Sequence, residues 1–364
     1  PGGVVPNSLR GAAWLQRQQG SGAGGDSVPP IKMIGMVGRD KAAARMREEL
    51  RSAGVEPLLD EIPAHSGAAE GGPATKTGVC CCLIAGHNRT MVTDLRAGRT
   101  LELHGKKAPM FPGWMERIAA AQAGTSSAPV IVVLSAFYIQ ADPEGSAAIC
   151  DWCAAAPGRL LAMTVSAEWC CHQPAVHRVA QSADFMFGNE PETVEIATAL
   201  AAQGVGPKPG TFEEAVSLVA RWKTRGWVVA TRGAKSVEAL HSKSVGPPLE
   251  VPVEKVPPEE FADDVGAGDA FMGGFVAVLW QRAAALKADD GHSDPYAKLA
   301  ARSLQAAWCS CCSSRDRDEG DDETDELGLA DRVSADDIRA CMAGGIRAAS
   351  AAVRSVGCQF AEAK

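Results

Sequence analysis

Two rhythms of apolar spacing alternate along the chain. Residues Ser8 to Gln19 carry apolar positions at helical spacing, and a Gly/Ser/Pro-rich loop from Gly20 to Pro30 leads into the β-branched run Ile31 to Val37. A second helix is predicted over Lys41 to Ala53. Two further strand-like runs follow, Val55 to Ile62 and Gly78 to Ile84. The second faces Thr90 to Leu95 across Gly86-His87-Asn88, the pattern of a β-hairpin. This hairpin forms a small appendage to what comes after it.

From Val130 onward the pattern settles into alternation. Strands are predicted at Val130 to Ser135, Arg159 to Val165, Asp184 to Phe187 and Trp227 to Thr231, with helices at Gly145 to Ala155, Glu192 to Gln203 and Phe212 to Thr224. Short apolar strands separated by helices predict an α/β fold whose parallel sheet is covered on both faces. Strands near Ser236 to Leu240 and Glu250 to Val256 precede a glycine-rich turn and an apolar helix. A last helix runs from about Ala335 to Val356, with Ser334 and Asp337 as its capping box. The longest apolar stretch, Val130 to Ile139, reads as a buried strand and is too short to cross a membrane.

Composition narrows the picture. With 364 residues and 46% of them apolar, the chain has enough material for a large core. A formal charge of -8 and the lack of a basic stripe argue against nucleic acid as a partner. No membrane partner is expected either. The chain opens on Pro1 with no secretory pattern, and is read as a fragment or processed form. Its 12 cysteines fall in clusters that suit reduced thiols in the cytoplasm. Cys150 and Cys153, with Cys170, Cys171 and His172, make the best zinc candidate by spacing, set against a reading as buried structural cysteines. The segment 285–332 holds Cys309, Cys311, Cys312 and a dense acidic run, and reads as a solvated, disordered insertion; a palmitoylation site there is the alternative.

The strongest chemical constellation is Asp263-Asp264-Val265-Gly266-Ala267-Gly268-Asp269-Ala270-Phe271, followed by a helix with Phe271, Phe275, Val278 and Leu279 on one face. Small residues at Gly266, Ala267 and Gly268 let backbone N–H groups converge at a helix N-terminus. Orphan donors and the helix dipole attract an anion there, which makes an anion hole for phosphate. Asp269, on the first turn, stands where a carboxylate takes a proton from an attacking hydroxyl. The same turn also suits an ordinary helix cap, so the run by itself leaves both readings open.

The run Asp263 to Phe271 resembles the C-terminal signature of the ribokinase-like (PfkB) family of carbohydrate and nucleoside kinases. Other segments, in the family's order, resemble its adenosine kinase branch: Pro1-Gly2-Gly3 with Asn7-Ser8, Gly35 to Lys41, Thr77 to Cys80, Gly86 to Thr90, Phe187 to Glu190, Ala348 to Ser350 and Gly357-Cys358. The resemblance implies a three-layer α/β/α core with a parallel central sheet and a small β-sheet lid. Residues 1–54 and 98–364 would form the core domain and 55–97 part of the lid. It also implies transfer of phosphate from ATP, with Mg2+, to the 5′-hydroxyl of adenosine by a cytoplasmic or nuclear monomer, giving AMP in purine salvage.

Carried over position by position, the resemblance implies that Asp269 is the base and that Arg89 reaches the transferring phosphate. Gly2, Gly3 and Asn7 would lie near the ribose, and Cys80, Met91, Leu95 and Phe137 would wall the purine. Thr231 and Gly233 would belong to the nucleotide loop, and Gly345 would border the adenine. Asn189 and Glu192 match an Asn-x-x-Glu element that organises magnesium through water, and Asp263 stands where many relatives build a monovalent-cation site. Residue chemistry alone also allows a solvated Arg89, a core Phe137 and a plain helix cap at Asn189. Departures from the pattern are Asp264 and Val265 for Thr and Asn, Val4 after Gly3, Ala43 after Asp40, and the absence of the N-terminal strand whose aspartate grips the ribose. Two further readings stay open: another nucleoside or sugar kinase of the family, and a nucleotide-binding relative without turnover.

Overall fold

The computed structural model describes residues 3–20, 30–62, 75–85, 88–100, 129–156, 158–288 and 333–360, with 83–85, 88–90, 99–100 and 285–288 described by backbone alone. The chain runs α1 (Val4–Gly20), β1 (Ile31–Val37), α2 (Lys41–Ser52), β2 (Val55–Glu61), β3 (Val79–Ala85), β4 (Asn88–Asp94), β5 (Val130–Ser135), α3 (Ala136–Ala141), α4 (Pro143–Ala154) and β6 (Arg159–Thr164). It continues through α5 (Pro174–Ser182), β7 (Phe185–Asn189), α6 (Glu190–Ala202), α7 (Phe212–Trp222), β8 (Trp227–Thr231), β9 (Ser236–His241), β10 (Leu249–Pro252), α8 (Ala267–Ala288) and α9 (Ala335–Ala352). Residues 289–332, most of the acidic cysteine-bearing insertion, lie outside the described residues.

Six strands form one sheet in the order β10-β9-β8-β7-β6-β5. Successive residues on each strand point to opposite layers, as strand geometry requires. Leu161, Met163, Met186, Val228 and Leu240 face the core beneath α3 to α7, whereas Leu160, Phe185, Phe187, Val229 and Ala239 face the core beneath α1, α8 and α9. In the second layer Phe185 and Phe187 meet Phe275 edge-on, at centroid separations of 5.5 and 5.1 Å. The three layers follow the expectation. The sheet is not parallel throughout: β5 to β8 are parallel, but β9 and β10 are antiparallel. The four residues from Arg232 to Lys235 that join β8 to β9 are too few for a crossover, so the chain must turn back.

The long apolar stretch also divides. Ser135 ends β5 and accepts a hydrogen bond from the Tyr138 N–H, so Phe137 and Ile139 belong to α3 and not to a strand. Both α3 and α5 escape the periodicity because each is short and begins at a cap or proline rather than with an apolar repeat.

β1 and β2 form a separate parallel pair packed on α1 and α2 around Leu50, Val55 and Leu59. A boundary at 54/55 would cut this pair, so Val55 to Glu61 goes with β1 and not with the hairpin. β3 and β4 make the expected antiparallel hairpin, with Ala85 opposite Asn88. Asp40 clasps it to β1: its carboxylate caps α2 through Ala43 and accepts from the Thr77 N–H at 2.8 Å and the Thr77 hydroxyl at 2.7 Å. Burial acts to raise the Asp40 carboxyl, but these donors together hold it below its usual range.

Candidate active site

The parallel strands end on one side of the sheet, where open α/β folds gather ligand groups. Asn189 and Thr231 are direct partners in the β7–β8 register, so two of the expected nucleotide residues stand side by side at strand ends. Asn189 caps α6 by accepting from the Glu192 N–H at 2.8 Å, and Glu192 returns a carboxylate oxygen to the Asn189 N–H at 3.0 Å. Gly188 keeps this reciprocal cap compact, since a Cβ there would sit 3.2 Å from the Thr193 hydroxyl. Glu192 is only 8% exposed, and burial pushes its carboxyl above the usual range; the Asn189 N–H opposes this and the charge of Asp269 adds to it. That coupling brings Glu192 and Asp269 into one electrostatic site.

Asp269 lies on the first turn of α8, as expected, and accepts a hydrogen bond on Oδ2 from Asn7 Nδ2 at 3.0 Å. Asn7 is 5% exposed and its Oδ1 is buried without a hydrogen-bond partner among the described residues. The turn before α8 depends on Gly266, whose φ of +79° favours glycine. A Cβ there would also fall 2.7 Å from Cys358 Cβ and 3.1 Å from Asn7 Nδ2. The Ala267 N–H is engaged within the turn, donating to the Asp264 carbonyl at 3.1 Å. Gly268 is exposed, with open space where a Cβ would stand.

Asp263 is a clasp of this turn. Its Oδ1 accepts from the Val265 N–H at 2.9 Å and its Oδ2 from the Gly357 N–H at 3.1 Å. Cys358, buried beside the turn in a left-handed conformation, has its thiol pushed up to about 12 by burial, with Asp269 contributing. Gly3 precedes α1, also with positive φ, and its carbonyl accepts from the Asn7 N–H at 3.1 Å. Gly2 lies outside the described residues.

The remaining expected residues are spread more widely. Gly233, with φ +59°, follows Thr231 in open space. Gly345 is buried on α9, where a Cβ would strike the Phe271 ring at 2.6 Å, so it serves the closeness of α8 and α9. Cys80 and Met91 are exposed on the hairpin, and Leu95 is 42% exposed just after it. Arg89 lies on β4 opposite Ile84, with its side chain outside the described residues. Phe137 and Leu95 line a largely apolar cavity of about 560 Å3 between β1 and β5.

Two neighbouring residues, Trp169 and Arg232 of the run Thr231-Arg232-Gly233, were given no role of their own by the sequence. Trp169 stacks on the cavity-lining Phe137 at 5.7 Å and remains 58% exposed. Arg232, beside Thr231, binds Glu190, Glu213 and Glu238 at 3.1 to 3.3 Å and lies over Phe212. An isolated aromatic and an isolated arginine look alike in a sequence whether they meet a ligand or the protein's own acids. The zinc candidate fares differently: Cys153, Cys170 and Cys171 are buried, with thiols pushed up to about 12, 11 and 12 by burial. No cluster able to hold a metal occurs among the described residues.

Comparison with known proteins agrees with this arrangement. The chain is 28% identical over 294 residues to adenosine kinase of Schizophyllum commune, covering 76% of this chain and 72% of that protein. It is 24% identical over 285 residues to adenosine kinase 2 of Arabidopsis thaliana, covering 76% and 71%. A crystal structure of Anopheles gambiae adenosine kinase in complex with P1,P4-di(adenosine-5) tetraphosphate superposes with a TM-score of 0.66 at 23% identity, over 99% of this chain and 81% of that one. The family model described as pfkB family carbohydrate kinase matches residues 1–317, which include the α8 turn and the strand ends that face it. Because this model matches residues 1–317, well over half of the chain, the chain belongs to the pfkB family of carbohydrate kinases.

Proposed function

We propose that this chain transfers the terminal phosphoryl group of ATP to the 5′-hydroxyl of adenosine, giving AMP. The observation that carries the reading is Asp269 on the first turn of α8, held by Asn7 and electrostatically coupled to Glu192 at the strand ends. A hydroxyl placed against Asp269 loses its proton to the carboxylate as its oxygen attacks the phosphoryl group. Gly268 and the α8 N-terminus favour the charge on that group, and Arg89 adds a permanent positive charge when the hairpin closes over the site. The exposed apolar residues Val79, Met91 and Val92 suit a hairpin that covers a ligand in one state and meets water in another. Thr231 and Gly233 take the nucleotide, and Gly3 and the buried Asn7 Oδ1 face the ribose.

Magnesium fits the residues present. Glu192 and Asp269 are carboxylates whose mutual repulsion a divalent cation relieves, and magnesium prefers carboxylate, water and phosphate oxygens. Asn189 and Glu192 would hold it through water, and when bound it neutralises phosphate charge. Asp263, with both oxygens engaged by backbone N–H groups, supplies no case for a monovalent cation.

Adenosine is favoured over a sugar by the Phe137–Trp169 pair, because aromatic faces stack on a purine whereas a sugar needs polar partners. The reading includes a monomeric, cytosolic enzyme; the nine described cysteines are all free thiols. No helix among the described residues is long and apolar enough to cross a membrane.

The test is ATP-dependent phosphorylation of a nucleoside and sugar panel by the full chain and its Asp269→Asn variant. Adenosine is the expected acceptor, and the variant should lose roughly 10²- to 10⁴-fold in kcat. Phosphorylation of ribose or fructose but not adenosine overturns the acceptor, and unchanged turnover in Asp269→Asn removes the base. Nucleotide binding with no product from any acceptor would establish a relative without turnover.

A further inference from the structure

Asn7 and Asp269 are 262 residues apart in the chain and meet at 3.0 Å. The contact has a fixed sense, because a carboxylate accepts and only the amide nitrogen of Asn7 can donate. The side chain is enclosed. It is 5% exposed, its backbone is anchored at the first turn of α1 through the Gly3 carbonyl, and any Cβ at Gly266 would press on its nitrogen. No other residue type of this size offers a neutral donor there without adding charge. We propose that Asn7 is a positioning residue for Asp269: its amide fixes one carboxylate oxygen, sets the rotation of the group and favours its ionised form. This rests on the reading of Asp269 as the base.

The surroundings make such a donor necessary. Glu192 from α6 brings negative charge, as does Asp263 near Cys358, and the Cys358 thiol is kept neutral by burial. Arg10 on α1 brings positive charge to this group, acting on Cys358. A base among acids gains ionisation from a hydrogen bond that carries no charge of its own.

The test is the pH profile of kcat for the full chain against Asn7→Leu, Asn7→Ser and Asn7→Asp, with melting curves to confirm folding. Leucine matches the size without a donor, serine is smaller and withdraws the donor from reach, and aspartate puts a second carboxylate in its place. In the leucine and serine variants the acid limb should move to higher pH, with kcat down about tenfold near pH 6 and less than about threefold near pH 9. The aspartate variant should move further, and KM for ATP should stay unchanged. A loss uniform across pH, or confined to KM, overturns the proposal. Where turnover is too low to profile, the 13C carboxylate titration of Asp269, assigned by difference from Asp269→Asn, decides it: a move to higher pH in the variants supports the role, and an unmoved titration refutes it. If Asp269→Asn retains turnover, the base itself is misassigned. If it is inactive while the acid limb stays in place, only the role of Asn7 falls.

Discussion

At the scale of single residues, the site is a place where acids are crowded on purpose and stability is given up for it. Glu192 is the clearest case. Burial lifts its folded carboxyl above the usual range, so its favourable contribution is present below the unfolded value and is lost as pH rises through the folded one. Glu192→Gln keeps an oxygen to accept from the Asn189 N–H while removing the charge. It should melt no lower than the parent near pH 8, and higher if the charge is the dominant cost, yet lose roughly 10- to 100-fold in kcat, as loss of a group that orients a metal's water does. A lower melting temperature with full turnover would return Glu192 to a purely structural cap. The sequence showed both roles of the Asn189/Glu192 pair and could not choose between them. The structure shows that the pair makes the cap while the charge of Asp269 still acts on Glu192, and the magnesium role is the proposal that this variant tests.

At the scale of elements, α8 is the pivot on which two helices close. Gly273 faces the Ser8 carbonyl of α1, and Gly274 faces the Gly344 carbonyl of α9, so neighbouring glycines serve opposite sides of one helix. The apolar face of Phe271, Phe275, Val278 and Leu279 was legible from spacing, and all four are buried. The glycines carried no such signal, because a small residue in a helix is the same letter whether it meets backbone or solvent. Replacement tells them apart. Gly273→Val should cost about 3 kcal/mol or more in urea denaturation by forcing α1 away and carrying Asn7 with it. Gly268→Ala, which meets open space, should unfold within about 0.5 kcal/mol of the parent while phosphoryl transfer falls, since the methyl stands where the anion approaches. Equal losses of stability in both would mean that the α8 turn is a packing element only.

At the scale of the whole molecule, stability is tied to a lysine far from the reacting groups. Lys223, at the end of α7, is buried and donates to the Ala180 and Ala183 carbonyls at 2.6 and 2.8 Å, joining α7 to the end of α5 and the start of β7. Burial pushes its ammonium down to about 7, with the Asp184 charge resisting. Its ordinary value is 10.5, so between these limits the unfolded chain binds the proton more readily than the folded one. This group therefore makes the protein less stable as pH falls from 10.5 toward 7, by roughly 1.4 kcal/mol per pH unit at most. Denaturation between about pH 7 and 9.5 should show stability rising with pH, and Lys223→Met should flatten the rise. An identical slope in both proteins would show that Lys223 stays charged when folded.

What the sequence determined by itself was local: which stretches are helix or strand, which face of α8 is apolar, and that Gly266 to Asp269 form a turn able to meet an anion. These follow from side-chain period, capping chemistry and the freedom of glycine, all of which act within a few residues. Tertiary structure decided whatever required distant segments to meet. It turned β9 against the parallel strands and β10 back against β9, joined β2 to β1, and gave Asp263 a clasp through Gly357. It also brought Asn7 from the start of the chain onto the carboxylate at the head of α8. No local rule links positions hundreds of residues apart; the packing of α1 against α8 does, and it decides what stands beside Asp269.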